Sequence, residues 1–183
     1  MKDHYYGQHA AALRVELSRA IPRDVLRHLH RKNAARHLLI TARQFAMLGL
    51  ATWGLIAFDN PLIWVPLAFV QGFTVFNFTV LLHEVVHHTV FQTRRPGAER
   101  VLAWLYAVPS GISSSQFTRW HLDHHAELGS DEDDPKRHHL SPKRNARWFK
   151  LLYCTPALFP IYFRAARRES ATYDAPLQDR IGT

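Results

Sequence analysis

The sequence lacks most of the residues that covalently stapled or thiolate-bound proteins depend on. A single cysteine, Cys154, occurs among 183 residues, which excludes a disulfide framework and any zinc or iron–sulfur site built from cysteine thiolates. No apolar segment follows Met1, so no cleavable signal peptide is predicted. Acidic residues are also scarce, since 15 Asp and Glu stand against 23 Lys and Arg. Histidine is abundant instead, with 13 residues.

The first 37 residues form a polar region in which eight Lys and Arg outnumber three acidic residues. Their pattern predicts two short helices, His9–Ala20 and Pro22–His37, because proline suits the first helical turn. Such basic helices either lie on an anionic membrane surface or stay solvated, and the pattern leaves both open. A basic region can also bind nucleic acid. The sequence has no recognisable nucleic-acid-binding motif, so we predict no nucleic-acid partner.

Two long apolar runs follow, separated by a three-residue turn. Leu38–Phe58 carries one charge, Arg43, and Leu62–Leu82 carries none. Each run would form a helix about 31 Å long, which matches the hydrocarbon core of a bilayer. The pattern predicts a transmembrane hairpin over residues 38–82. The alternative is a buried hairpin in a soluble bundle, but a chain this short offers little protein to cover two helices that are apolar all round.

The distribution of Lys and Arg predicts how this hairpin is oriented. Eight of these residues precede it, ten lie between residues 83 and 150, and the turn has none. Positively charged loops stay on the cytoplasmic side, so both ends of the hairpin are predicted to be cytoplasmic. The predicted organisation is a basic cytoplasmic N-terminal region (1–37), a transmembrane hairpin (38–82), a cytoplasmic histidine-rich region (83–150), and an interfacial apolar segment with a tail (151–183).

Two compact histidine clusters lie after the hairpin. The first cluster consists of His83, His87 and His88, and the second of His121, His124 and His125. On helices, residues three or four positions apart share a face, so most of each cluster can point the same way. Imidazole binds zinc, copper, iron and nickel. Six imidazoles exceed the four ligands of one tetrahedral zinc ion, so the clusters predict two metal ions.

The spacings His83-x-x-x-His87-His88 and His121-x-x-His124-His125 resemble the first two histidine boxes of the membrane fatty acid desaturase superfamily, which also contains hydroxylases and carotenoid ketolases. The context is similar too: the first cluster lies at the end of an apolar hairpin, and the second precedes a glycine and an acidic turn. The resemblance covers roughly residues 38–165. It implies an all-α integral membrane protein with one transmembrane hairpin plus cytoplasmic and interfacial helices.

The resemblance implies a non-haem di-iron oxidoreductase that uses O2 and external electrons to desaturate a lipid acyl chain. Ferredoxin or cytochrome b5 is the implied type of electron donor. The histidines of both clusters become the implied catalytic iron ligands, with His87 and His88 as alternatives for one position. Glu84 and Asp123 would either orient these imidazoles or be solvated charges. The family also has a third histidine box and usually a second hairpin, so we expect this chain to be the N-terminal part of a longer or split protein.

Three other functions remain open at this point. A related lipid or carotenoid hydroxylase or ketolase would use the same site. His83-Glu84-x-x-His87 also fits a membrane zinc metalloprotease in which Glu84 is the general base, although that hypothesis leaves three clustered histidines unexplained. A non-catalytic metal-binding membrane fragment is the third.

The remaining polar residues are interpreted as structural. Seven histidines outside the clusters are predicted to be incidental: His4, His9, His28, His30, His37, His138 and His139. Gln71 and Asn77 lie within the second apolar run, where polar groups face protein or a cavity. We expect them to bond to a neighbouring helix, with a place along a substrate channel as the alternative.

Overall fold

The computed structural model describes residues 4–130, 132–135 and 158–182. His138 and His139 therefore lie outside the described residues, as does most of the apolar segment that begins at residue 151. Every regular element within these ranges is an α-helix, which confirms the predicted all-α class. The helices are α1 (Tyr5–Ala20), α2 (Arg23–Leu29), α3 (Ala34–Ala57), α4 (Pro61–Val86), α5 (Pro96–Ser110), α6 (Ser114–Ala126), α7 (Leu158–Ser170) and α8 (Ala175–Gly182).

The chain divides into two compact units. One is the continuous segment Leu26–Ser114, and the other combines Met1–Val25 with Ser115–Thr183. The first unit contains α3, α4 and α5 and carries the first histidine cluster. The second contains α1 and α7, with nearly all of α6 and the second cluster.

The single helix predicted over Pro22–His37 is wrong, because the chain leaves helical geometry after Leu29. The physical reason is a new helix start at Asn33, whose side-chain oxygen accepts a hydrogen bond from the Arg36 N–H at 3.0 Å. Asparagine at this position satisfies a backbone donor that the first helical turn leaves unpaired. His37 consequently belongs to α3.

The hairpin of α3 and α4 forms as the hydropathy predicts. Asn60 begins α4 by accepting a hydrogen bond from the Leu62 N–H, with Pro61 in the first turn. Two stretches are long and apolar enough to cross a membrane: Arg23–Ala57, which contains α2, the break after it and α3, and Pro61–Val86, which is α4. Their outward side chains are large and apolar: Ile56 is 78% exposed and Leu62 83%.

Close contacts hold the two long helices together. A Cβ added at Gly54 would lie 2.7 Å from Leu67 Cδ1, so glycine permits this approach. Near the middle of the pair, Gln71 Nε2 donates to Thr52 Oγ1 at 2.9 Å. The predicted bond from Gln71 to a neighbouring helix is therefore confirmed.

The core of the first unit lies where α5 packs against α4. Phe78, Leu82 and Tyr106 are fully buried there. The ring of Phe78 lies 4.8 Å from that of Phe45 on α3 and 6.3 Å from that of Tyr106 on α5. This packing surrounds the last turns of α4 and so positions the first histidine cluster.

In the second unit, polar contacts join segments that are distant in sequence. The Tyr5 N–H donates to Glu127 Oε2 at 3.1 Å, and Gln116 Nε2 donates to the Ala166 carbonyl at 2.7 Å. The chain turns after α6 at Gly129, whose φ of +98° favours glycine. This turn leads to the acidic segment that follows the second cluster.

Candidate metal centre

The first histidine cluster lies at the C-terminal end of α4. His83 is in the last helical turn, and the His87 N–H donates to its carbonyl at 3.1 Å. The two rings have centroids 4.6 Å apart, and they offer ligand nitrogens within 4.8 Å of each other. The structure thus brings together the two histidines whose spacing predicts a shared face.

His88 lies beyond the end of α4, in a left-handed backbone conformation with φ of +54°. Its Nδ1 lies 2.8 Å from Oε2 of Glu99, a residue in the first turn of α5. Because a carboxylate only accepts, the contact assigns the N–H to Nδ1 and leaves the Nε2 lone pair for a metal. Glu99 is buried, and among the described residues its Oε1 has no hydrogen-bond partner.

The second cluster lies on α6. His121 Nε2 and His125 Nε2 are 3.0 Å apart. Two imidazole nitrogens that bind one ion at right angles, each at about 2.1 Å, would be about 3 Å apart, so this pair suits a shared metal. His121 is buried and stacks on Phe117, with ring centroids 5.3 Å apart. The stack holds the imidazole plane in place.

His124 is held as His88 is, by a buried carboxylate from another segment. Its Nδ1 lies 2.7 Å from Oδ1 of Asp134, in the acidic turn beyond Gly129. Its ring also stacks on that of Trp120. One histidine of each cluster therefore has its Nδ1 bound by a buried carboxylate, which is the usual arrangement around metal-binding imidazoles.

Glu84 and Asp123, which sequence reasoning left as either ligand-orienting residues or solvated charges, have other partners. Glu84 Oε2 lies 2.7 Å from Nδ1 of His37, and Asp123 Oδ2 lies 2.6 Å from Nε of Arg119. Sequence reasoning missed Glu99 and Asp134, which hold the cluster histidines instead. Asp134 could have been found from the sequence, because it lies in the acidic turn after the second cluster. Glu99 could not, because acidic residues are common in the first turn of a helix.

The histidines predicted to be incidental differ in their surroundings. Nδ1 of His9 lies close to a carbonyl of its own helix, Nδ1 of His30 lies close to a carbonyl of the preceding helix α2, and His4 pairs with Glu127. His37 is buried instead, with its Nε2 3.0 Å from the Tyr106 hydroxyl. Burial raises the pKa of that phenol, and the hydrogen bond with Thr41 opposes the rise.

These donors suit iron in both kind and arrangement. Imidazole nitrogen is a ligand for iron, and each cluster holds two ring nitrogens near enough to bind one ion. Neither cluster contains a thiolate, which would favour zinc or an iron–sulfur cluster. The fold and the site define a helical protein with two histidine clusters that could hold metal, one of them at the end of an apolar hairpin.

Comparison with known proteins identifies the class more closely. The family model of the fatty acid desaturases matches residues 60–177, more than half of the chain. The chain therefore belongs to the fatty acid desaturase family, as the two histidine spacings implied. No solved structure matches it.

Curated relatives match a shorter segment. The sphingolipid delta(4)-desaturase/C4-monooxygenase DES2 of Homo sapiens is 34% identical over 82 residues, and the proteins of that name from Bos taurus and Rattus norvegicus are each 33% identical over 82 residues. The match covers 44% of this chain and 23% of each relative. The chain thus matches less than a quarter of the length of these curated relatives.

Proposed function

We propose that this chain is an iron-binding, membrane-embedded oxidoreductase that desaturates a lipid acyl chain. The observation that carries the proposal is the pair of buried carboxylate–imidazole contacts, Glu99 with His88 and Asp134 with His124, in a member of the desaturase family. A solvated histidine needs no buried carboxylate on its Nδ1. A metal ligand gains a fixed tautomer and a more basic Nε2 from one.

The proposed ligands to two iron ions are the histidines of both clusters. The contact with Glu99 supports His88 as a ligand through Nε2, and the close approach of the His83 and His87 rings supports His87, so both stay candidates for that position. When bound, the iron ions supply the activation of O2 that oxidation of an unactivated C–H bond requires. The protein's own contribution is to hold the imidazoles in fixed orientations through Glu99, Asp134 and the Phe117 stack.

The proposed reaction balances with an external reductant. Two adjacent methylene groups each lose one hydrogen, and the carbon pair becomes a double bond. One O2 takes up these hydrogens together with two electrons and two protons, and two water molecules leave. We propose ferredoxin or cytochrome b5 as the type of electron donor, which the excess of basic residues would attract if the donor is acidic.

We propose further that α3 and α4 cross the membrane, with the N-terminal region and both clusters on the cytoplasmic side. The exposed apolar side chains of the hairpin support this proposal, because lipid would cover them. His83 follows directly on the apolar part of α4, which would place it near the interface. A lipid with its head group in the interface could then bring its acyl chain to the metal.

Hydroxylation is a second candidate, because the name of the matched relatives pairs a desaturase with a monooxygenase. One experiment tests both. Membranes containing the full chain are incubated with O2, reduced donor and either a sphingolipid or a glycerolipid, and products are identified by mass spectrometry. Loss of two hydrogens shows desaturation and gain of one oxygen shows hydroxylation. No product with any lipid or donor, despite bound iron, would favour a non-catalytic metal-binding protein.

The zinc protease hypothesis requires Glu84 to act as the general base. A general base must be available to the metal-bound water. The Glu84 carboxylate instead accepts from His37 at 2.7 Å, which argues against that role. One zinc ion per chain with peptide hydrolysis would support the protease and contradict our proposal.

A further inference from the structure

A chain of hydrogen bonds runs from α3 and α5 to the end of α4. His37 contacts Glu84 through Nδ1 at 2.7 Å and the Tyr106 hydroxyl through Nε2 at 3.0 Å. The Tyr106 hydroxyl in turn lies 2.6 Å from Thr41 Oγ1. We call these four residues the His37 network. The metal-ligand assignment does not use it, and His37 and Thr41 precede the segment that the family model matches.

Burial restricts the conformations that the side chains of the His37 network can adopt. Tyr106 is fully buried, and His37 and Thr41 are buried beside it. A buried polar group that loses its hydrogen-bond partner is destabilised by its full desolvation free energy. The side chains of His37, Thr41 and Tyr106 are therefore held in one arrangement, because rotation of one leaves another unpaired. The Glu84 side chain is 48% exposed and forms the outer end of the network.

Glu84 connects this arrangement to the first histidine cluster. It follows His83 directly, and its carbonyl accepts from the Thr89 N–H at 3.0 Å where α4 ends. Apolar packing of Leu82 and Val85 also holds this turn. Apolar contacts are non-directional, whereas hydrogen bonds have preferred angles. The hydrogen bonds of the His37 network therefore have a directional preference that the apolar packing around the end of α4 lacks.

We propose that His37 and Tyr106 are positioning residues that fix, through Glu84, the last turn of α4 and with it the imidazoles of His83 and His87. The proposal rests on the proposed function only in taking those two histidines as metal ligands. It predicts that substitutions in the His37 network loosen the C-terminal end of α4 more than the middle of that helix.

The first test needs no metal. Backbone amide hydrogen exchange is measured on the full chain in detergent for Tyr106→Phe, which removes one oxygen atom, and for His37→Gln. The amides of His87 and Thr89 should exchange about tenfold faster, while those in the middle of α4 stay unchanged. Thr74→Val is the matched control, because it removes a buried hydroxyl of α4 that bonds only its own helix. Unchanged exchange at His87 and Thr89 in both variants would overturn the proposal.

The second test follows the metal site. Co²⁺ is titrated into the full chain, and affinity and visible absorption are recorded for the same variants. Loss of a hydrogen-bond partner of a metal ligand commonly weakens metal binding about 10- to 100-fold. Because Tyr106 acts through His37 and Glu84, Tyr106→Phe should weaken Co²⁺ binding by up to about the lower factor and shift the absorption band. An equal loss in Thr74→Val would mean general destabilisation and overturn the proposal. If the unaltered chain binds no Co²⁺, the proposed function fails, while the exchange experiment still decides the role of the His37 network.

Discussion

Replacing Asp134 by asparagine tests whether the buried carboxylate makes His124 a metal ligand. The side chains of Asp134 and His124 are 2% and 13% exposed, so water screens their 2.7 Å contact little. Asparagine keeps the size and one acceptor oxygen but loses the charge. A hydrogen bond to a charged group contributes about 1.5–3 kcal/mol and a neutral one about 0.5–1.5 kcal/mol. The midpoints of these ranges differ by roughly 1.25 kcal/mol, which corresponds to nearly a tenfold loss of metal affinity.

The neighbouring Asp133 provides the matched control, because it undergoes the same change of charge but is exposed. Fe²⁺ is titrated anaerobically into the full chain in detergent, and dissociation constants are compared by calorimetry. We expect Asp134→Asn to weaken binding about tenfold and Asp133→Asn to change it less than about twofold, because solvent screens an exposed charge. In a His124→Ala background the Asp134 change should have no further effect, since it acts through that imidazole. Equal effects of the two asparagine variants would refute the reasoning.

Three further predictions concern other parts of the fold. Glu99→Gln should weaken Fe²⁺ binding about tenfold in the same titration, and unchanged affinity would remove Glu99 from the site. Gly54→Val should lower the free energy of unfolding by about 1–3 kcal/mol more than Gly49→Val, because a Cβ at position 49 meets nothing within 4 Å; equal thermal unfolding would contradict the close approach of α3 and α4. Gly129→Ala should lower the free energy of unfolding by about 1–2 kcal/mol in the same assay, because φ at Gly129 is +98° and a Cβ there would lie 3.2 Å from the Tyr5 ring. An unchanged free energy of unfolding would contradict that turn.

Local patterns in the sequence predicted the elements that depend on local physics. The hairpin follows from two uncharged or nearly uncharged runs flanking an Asp-Asn-Pro turn, and Asn60 and Pro61 begin α4 as such residues usually do. The pairing of His83 with His87, and of His121 with His125, follows from helical spacing alone. The family resemblance was carried by the same spacings.

Contacts between segments could not be predicted in this way. His37 looked like one more histidine in a basic region, yet it contacts Glu84 from 47 residues away. Glu84 and Asp123 were candidates for orienting ligands, with solvated charges as the alternative, because they adjoin the ligands in sequence. Adjacent residues on a helix point in different directions, so the carboxylates that reach the imidazoles come from other segments, Glu99 in α5 and Asp134 in the acidic turn.

The metal content of the purified full chain tests the central claim most directly. The chain and a variant in which His121, His124 and His125 are all replaced by alanine are purified from iron-replete cells, and metals per chain are measured by mass spectrometry. We predict two iron ions per chain, and loss of iron binding in the variant. One zinc ion per chain, or iron retained in full by the variant, would contradict it.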